Sequence, residues 1–406
     1  MWPFNKRENK STVTSKVLFG MLGSARWSGR RYTDFSNEGY IQNAVAFRCI
    51  NLISKGAASV DWQLKKSNGS IITEHKLLDL LHRPNPVEGG AAFFEKIFSY
   101  YLISGNCYIH NPNEGGKPKE LYTLRPDRIE VITSKSVMPT GYKYTVDGVV
   151  TKFPIDILTG KSQILHWKSF NPIDDWYGLS PIEAAAYSID QHNQAGAWNQ
   201  SLLQNGARPS GALVVKTDND TDGSLSDDQY TRLKSQMDEQ YSGAANAGRP
   251  MLLEGGLDWK EMSLSPKDMD FINSKHTSAR DIALAFGVPP QLLGIPGDNT
   301  YSNLEEARLA LWEQTILPML DNLVDEINNW LTPLYGDGIK LSYDMDSIDA
   351  LSPRRQKRWE NIANADFLTI DEKREAIGKE PKDGGDVILV DFGKVPLDQV
   401  GQQSEI

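Results

Sequence analysis

At 406 residues, with 39% apolar and 24% charged side chains, the chain can bury a large core and should fold as two or three domains rather than stay disordered. A net charge of −10 argues against a protein that grips nucleic acid through clustered Lys and Arg, but not against one past which DNA slides, since few cations release few counterions. The two cysteines, Cys49 and Cys107, lie in apolar surroundings without CxxC spacing, which suits a reducing compartment or plain core filling.

Residues 1 to about 38 are polar and basic without periodicity and read as a flexible or loosely docked arm. Its start, Met1-Trp2-Pro3-Phe4-Asn5-Lys6-Arg7, has no apolar signal core behind it, and the most apolar run, Ile97 to Ile109, is too short and interrupted to cross a bilayer. No membrane passage is expected. Val45, Cys49, Leu52, Ile53 and Ala57 mark one face of a helix over Ile41–Ala58. Trp62–Leu64 and Ile71-Ile72 flank Asn68-Gly69, a hairpin signal. A short helix at Lys76–Leu81 stops at Pro84-Asn85-Pro86, and another spans about Ala92–Ile103 before Gly105, the residue type that best accepts a left-handed cap. The pattern then becomes β, with runs at Cys107–His110, Leu121–Leu124, Ile129–Ile132, Tyr142–Val146, Val149–Phe153 and Gln163–Trp167. Asp147-Gly148 is a second hairpin turn, and the runs either side of Arg125-Pro126-Asp127 are expected to be neighbours. This predicts an α+β domain with a mainly antiparallel sheet.

Ser180-Pro181-Ile182-Glu183 combines a capping Ser, Pro at the first helical position and Glu at the third. The helix should reach Asn205-Gly206, a rod of roughly 38 Å at ~1.5 Å per residue. Small residues and amides (Gln191, Asn193, Gln194, Asn199, Gln200, Gln204) replace an apolar stripe, so the rod either bridges solvent or packs closely against another helix in an oligomer. Residues 207–265 read as a compact insertion, with strands at Leu213–Val215, Met251–Leu253 and Leu257–Met262 and a helix from Ser226 to about Tyr241. Ser265-Pro266 opens a second rod that runs to about Phe286 and ends at Gly287-Val288-Pro289-Pro290. Two rods, 181–205 and 266–286, would thus leave and return to one body with a small α/β module at their far end.

A short polar loop, Gly294 to Asn303, follows, and then a helix from Leu304 to about Leu331. Pro318 inside it removes the bond its N–H would give to the Gln314 carbonyl and should kink it. Ile339–Tyr343 reads as a strand and Ser352-Pro353 as the start of a helix rich in Arg354, Arg355, Lys357 and Arg358. Thr369…Glu372 is a capping box for a short helix that ends at Gly378, and Val387–Val390 could add a strand.

Bond-making chemistry finds no support: there is no GxSxG, Walker loop, HExxH or GxGxxG after a strand, and neither a catalytic residue nor a cofactor is expected. Asp218-Asn219-Asp220-Thr221-Asp222-Gly223 matches the opening of a calcium loop, but its twelfth position is Gln229, not Glu, and an acidic hairpin tip is preferred. Asp344, Asp346 and Asp349 read as strand-end and turn caps rather than a metal site, and Glu305 and Glu306 as dipole partners at a helix start.

Taken in order, several stretches resemble the portal (connector) proteins of tailed double-stranded-DNA phages, in the compact subfamily of long-tailed phages and gene transfer agents. They are Asn43–Val60, His75–Leu81 with Pro84-Asn85-Pro86, Gly105-Asn106-Cys107-Tyr108, Leu124-Arg125-Pro126-Asp127, Ile164-Leu165-His166, Tyr177-Gly178-Leu179-Ser180-Pro181, Phe286–Pro290 with Leu293-Gly294, and Trp312–Pro318. The resemblance implies a portal-like α+β subunit: arm 1–39, α+β wing 40–179 and 304–350, stem helices 180–206 and 266–293, α/β clip 207–265, and short helical crown 351–406. It implies a tunnel loop at 294–303, with Asp298, Asn299, Thr300, Tyr301, Ser302 and Asn303 facing DNA by position rather than by charge, and Pro318 as the bend of the following helix. It implies a dodecameric ring at one capsid vertex of the virion, assembled in the host cytoplasm. That ring would nucleate the head with the major capsid protein, dock the large terminase, pass double-stranded DNA, and hold a head–tail adaptor. A different ring-forming adaptor of the head–tail junction is the alternative, and an acidic hydrolase, which would need a carboxylate pair in a cleft, the next.

Overall fold

The structure is a computed structural model and describes residues 32–113, 116–133, 138–204, 211–215, 228, 231–235, 257–261, 271–295 and 301–388. In chain order its main elements are α1 (Ala44–Ala58), β1 (Trp62–Lys66), β2 (Ile71–Ile72), α2 (Lys76–His82), α3 (Gly90–Ser104), β3 (Asn106–His110), β4 (Tyr122–Leu124), β5 (Ile129–Ile132), β6 (Gly141–Val146), β7 (Val149–Pro154) and β8 (Ile164–Lys168). There follow α4 (Pro181–Ala184), α5 (Ala186–Gln204), β9 (Gly211–Val215), β10 (Leu257–Glu261), α6 (Phe271–Ala285), α7 (Tyr301–Leu311), α8 (Leu317–Trp330), β11 (Ile339–Tyr343), α9 (Ser352–Ala363) and α10 (Ile370–Ala376). The chain divides into two compact units, residues 1–54, 95–111 and 122–299 in one, and 55–94, 112–121 and 300–406 in the other.

In the first unit two three-stranded antiparallel sheets, ordered β4-β3-β8 and β5-β6-β7, share a core of Tyr108, Leu124 and Ile164 from one and Ile129, Val131, Tyr142 and Phe153 from the other. The expected β runs are therefore all strands, but β4 and β5 do not pair, contrary to the sequence reading. Pro126–Arg128 forms a 3-10 turn, and the Arg125 guanidinium closes it by donating to both carboxylate oxygens of Asp127, at 3.0 and 2.8 Å. A proline-fixed φ and a bidentate ion pair make this corner a transfer between sheets rather than a hairpin. The β6–β7 turn does have the expected chemistry, with φ of 47° at Asp147 and 83° at Gly148.

The arm read as loose to about residue 38 is ordered over its last part: Tyr32–Asp34 is helical and Phe35–Ile41 is a π-helix. Gly39 lets that segment approach the Ile182 side chain, to which a Cβ would come within 2.7 Å. Asn43 then caps α1, its Oδ1 accepting from the N–H groups of Val45 (3.1 Å) and Ala46 (3.0 Å). Only residues 228 and 231–235 of the helix expected at 226–241 are described, and they are helical. β9 and β10 pair antiparallel, whereas the strand expected at 251–253 lies outside the described residues.

The second unit is built on a sheet ordered β11-β1-β2, in which Trp62 faces Tyr343 and Lys66 faces Ile339. The Asn68-Gly69 hairpin was legible; the partner strand lies far along the chain. Leu77, Leu78, Leu80 and Leu81 of α2 are buried, and His75 caps that helix through Nδ1, which accepts from the Leu77 N–H at 3.2 Å. Asn85, between two prolines, organises the chain after α2. Its Oδ1 accepts from the N–H groups of Val87 and Glu88, both at 2.9 Å, and its Nδ2 donates to the Leu121 carbonyl at 3.1 Å. The capping box at α10 is present in full, Thr369 Oγ1 accepting from Glu372 N–H and Glu372 accepting from Thr369 N–H. Both cysteines are free and buried.

Candidate functional site

Within the first unit the first rod starts at a tight corner where three of the quoted sequence stretches meet. Gly105 has φ of +72°, and a Cβ there would lie 2.6 Å from the Gly178 carbonyl, so both the conformation and the approach require glycine. Asn106 Oδ1 accepts from Gly178 N–H at 2.8 Å and faces His166 Nε2 at 3.0 Å. His166 stacks on Tyr108 at 4.3 Å, and burial holds its pKa down to about 3, so the ring is neutral and Nε2 carries the proton donated to Asn106. Ser180 follows at once. Its hydroxyl donates to the Ile103 carbonyl at 2.7 Å and accepts from Ile182 N–H at 3.0 Å, fixing the start of α4 against the end of α3.

The rod read as one helix over 181–205 is broken at Ala185 (φ −89°, ψ 4°) into α4 and α5. Of α5, Ile189 and Ala195 are buried. Its polar residues find partners on α6 and on the segment before α1. Ser278 Oγ donates to Gln191 Oε1 at 3.3 Å and Ser188 Oγ to Asp281 Oδ2 at 3.5 Å. These pairs run in opposite sequence directions, so the rods are antiparallel. Asn193 Nδ2 donates to the Glu38 carbonyl at 3.0 Å, and Asn43 Nδ2 donates to Asn193 Oδ1 at 2.9 Å. Amides that read as bridging solvent or an oligomer neighbour are thus partly spent inside the subunit. From α6 the buried side chains are Ser278, Ala279, Ile282 and Ala283, of which Ser278, Ala279 and Ala283 are small enough to let the two backbones come close. Gly287 (φ 66°) ends this rod where the sequence placed its stop; the start expected at 266 lies outside the described residues.

In the second unit, the helix expected from Leu304 begins at Tyr301, so Tyr301, Ser302 and Asn303 belong to α7 rather than to a loop. Asn303 is exposed, and Asp298, Asn299 and Thr300 lie outside the described residues. Just before Pro318, where the sequence predicts a kink, the helix passes through a π-helical turn over Trp312–Ile316, closed by Leu317 N–H donating to the Trp312 carbonyl. Pro318 then occupies the first turn of α8, immediately after the wide turn. One wide turn absorbs the proline, a device that alternation of apolar residues cannot reveal. Gly56 permits the approach of the last turn of α1: a Cβ there would lie 3.0 Å from Ile316 Cδ1 and 3.6 Å from Trp312 Cζ2. Glu313 of the π turn pairs with Arg354 at the start of α9.

Beyond the turn, Leu320, Leu323, Val324 and Ile327 form a buried stripe at helical spacing. Asn328 extends the sheet sideways, its Oδ1 accepting from Leu341 N–H at 2.7 Å and its Nδ2 donating to the Leu341 carbonyl at 3.0 Å. Asp321 accepts from the Tyr343 hydroxyl at 2.7 Å; burial first, then this carboxylate, raises the phenol's pKa. Asp344 caps a turn as expected, accepting from Asp346 N–H at 2.8 Å, while Asp346 lies 3.9 Å from Arg355. Among the described residues no three His, Cys, Asp or Glu side chains converge as a metal site. The Asp218–Gly223 loop lies outside them.

A protein of Rickettsia bellii is 47% identical to this chain over 376 residues, 92% of the chain and 96% of its own length. The portal protein of Enterobacteria phage HK97 is 23% identical over 410 residues, covering 98% of this chain and 91% of that protein. Among solved structures, a chain in the neck of a native gene transfer agent particle, computed with C12 symmetry, is 42% identical and superposes with a TM-score of 0.66 over 91% of this chain and all 100% of its own. Phage portal protein is the family matched, over residues 44–378. That span takes in both three-stranded sheets of the first unit, both rods and the helix that carries the π turn, and the chain belongs to the phage portal protein family.

Proposed function

We propose that this chain forms a twelve-membered ring at one vertex of a phage-like or gene-transfer-agent head, through which double-stranded DNA enters and leaves. The observation that carries this reading is the 42% identity, over the full length of the matched chain, to a component of a gene transfer agent neck computed with C12 symmetry. Two features of the molecule support it. A rod whose single charged residue over Ala186–Gln204 is Asp190 offers phosphates almost no counterion to displace, as a wall for sliding DNA requires. The rod's few buried side chains leave much of its surface for a neighbouring copy. On this reading residues 207–265 face the motor and the neck, with the large terminase and then a head–tail adaptor as successive partners. The wing residues 40–179 and 304–350 meet the major capsid protein, and the segment 294–303 faces the DNA.

Electron microscopy of the purified protein tests the reading most directly. Rings of about twelve subunits with an open axial channel are expected for a closed cyclic assembly, and a compact monomer would overturn it. Deleting Asp298–Ser302 should leave ring assembly intact while impairing DNA packaging or retention. Loss of the ring in a folded protein would place that segment in the subunit interface instead.

A further inference from the structure

Two apolar surfaces of the first unit face solvent. The first is the loop between β8 and α4, in which Phe170 is 84% and Ile173 89% exposed. That loop is pinned at both ends and in the middle. Ser169 N–H donates to the Gly105 carbonyl at 2.9 Å, and Ser169 Oγ to the Leu179 carbonyl at 2.7 Å. Asn171 Oδ1 accepts from Ile173 N–H at 3.1 Å, and Asp174 Oδ1 from the N–H groups of Trp176 and Tyr177 at 2.7 and 3.1 Å. A backbone fixed in advance, with its two large apolar side chains left in water, suits an anchor, because little conformational freedom remains to be lost on binding.

The second surface lies where the π-helix of Phe35–Ile41 passes into α1. Ile41 is 70% and Phe47 46% exposed, and the Tyr40 and Phe47 rings lie 5.0 Å apart. Asn51 ties them together, its Nδ2 donating to the Phe47 carbonyl at 2.8 Å and to the Tyr40 hydroxyl at 3.4 Å. Ala44, Phe47, Arg48 and Asn51 recur at helical spacing and share one face of α1, and the first three are exposed. Aromatic side chains beside an arginine are what the centre of a protein–protein interface is enriched in. Charge matches the two surfaces to each other. Asp175 is exposed at the end of the loop, where Lys168 donates to its backbone carbonyl, and Arg48 is exposed on the patch. Among the described residues neither the Asp175 carboxylate nor the Arg48 guanidinium has a hydrogen-bond or ion-pair partner. We propose that these surfaces meet in trans, the Phe170–Asp175 loop of one copy seating on the Tyr40–Arg48 patch of the next, with Asp175 opposite Arg48. A contact between two different patches is heterologous and closes into a ring, so the proposal rests on the ring reading and names one of its interfaces.

Charge reversal in the full-length protein tests the pairing. Arg48→Asp or Asp175→Arg alone sets like charges opposite one another and should lower the fraction that sediments as rings about tenfold or more, with the far-UV circular dichroism spectrum unchanged. The double reversal should restore assembly, because the attraction returns with its signs exchanged. Single variants that assemble like the wild type, or losses that the double variant does not repair, would overturn the contact while leaving the ring itself standing. Wild-type protein that forms no rings would overturn the ring reading and this contact with it. A Phe47→Cys/Ile173→Cys pair reads the geometry, since Cys49 and Cys107 are buried and do not compete. Oxidation should give a ladder extending beyond the dimer on a non-reducing gel. No cross-link, a disulfide within one chain, or a series that stops at the dimer would overturn the proposal.

Discussion

The rod pair α5–α6 and the interrupted helix α7–α8 are both long helical stretches, yet opposite chemistry holds them. α8 buries Leu320, Leu323, Val324 and Ile327 in one continuous stripe and clips itself to β11 through Asn328. α5 buries Ile189 and Ala195 and relies on side-chain hydrogen bonds through Ser188, Gln191 and Asn193. A stripe of large apolar groups is worth several kcal/mol and needs nothing further, whereas part-exposed hydrogen bonds contribute about 1 kcal/mol each at most. The first arrangement makes an autonomous anchor; the second makes a surface that is positioned without being used up. A ring subunit needs both.

The sharpest way to break this contrast is to remove equal numbers of side chains from each region. Leu323 is fully buried, so Leu323→Ala should cost about 3 kcal/mol by lost transfer energy plus cavity, read as a lower urea midpoint. Gln191→Ala on α5 should cost under about 1 kcal/mol, because both its ends can be rehydrated. Equal losses would mean that the rods are held by something other than their visible hydrogen bonds. An intermediate effect is expected at Asn328. Its truncation to Ala strands both backbone groups of the buried Leu341 and should cost about 2 kcal/mol, between the two extremes.

The same contrast explains what the sequence could reveal. The α8 stripe, the leucines of α2, the capping box at Thr369 and the Asp147-Gly148 turn are local patterns, and each was readable from residue type and spacing. The pairing of β1 with β11 was not, because a hairpin signal names only the strand on its near side. The corner at Arg125-Pro126-Asp127 misled for a related reason: two apolar runs joined by a tight turn look alike whether they pair or part. The amides of α5 were visible as an anomaly, but Asn43 and the Glu38 carbonyl, their partners, lie about 150 residues upstream. Within the candidate DNA-facing segment, the helix start at Tyr301 was missed because Tyr-Ser-Asn carries turn chemistry as readily as a first helical turn.

The finest discrimination between the two regions is by pH. Asn43 Oδ1 is engaged by two backbone N–H groups, so its Nδ2 must face His192 Nδ1, at 3.3 Å, and that nitrogen can only accept. Burial, then the nearby Lys275, lowers the His192 pKa from its ordinary 6.5. A lowered histidine pKa means that the unfolded chain binds the proton more readily. Its contribution to stability is therefore complete above about pH 6.5, declines as pH falls below that value, and levels off below the folded pKa. Because the ring is only half-buried, the slope should be a few tenths of a kcal/mol per pH unit, well short of the ~1.4 kcal/mol of an unscreened group. Measured as urea midpoints at pH 7.5 and 5.5, the drop should be smaller in His192→Gln, whose amide oxygen still accepts from Asn43 without titrating. His166, whose pKa is also lowered, contributes the same acid sensitivity to both proteins, so the difference between them isolates α5. Identical drops would show that the first rod does not depend on this contact, and the comparison with α8 would then rest on packing alone.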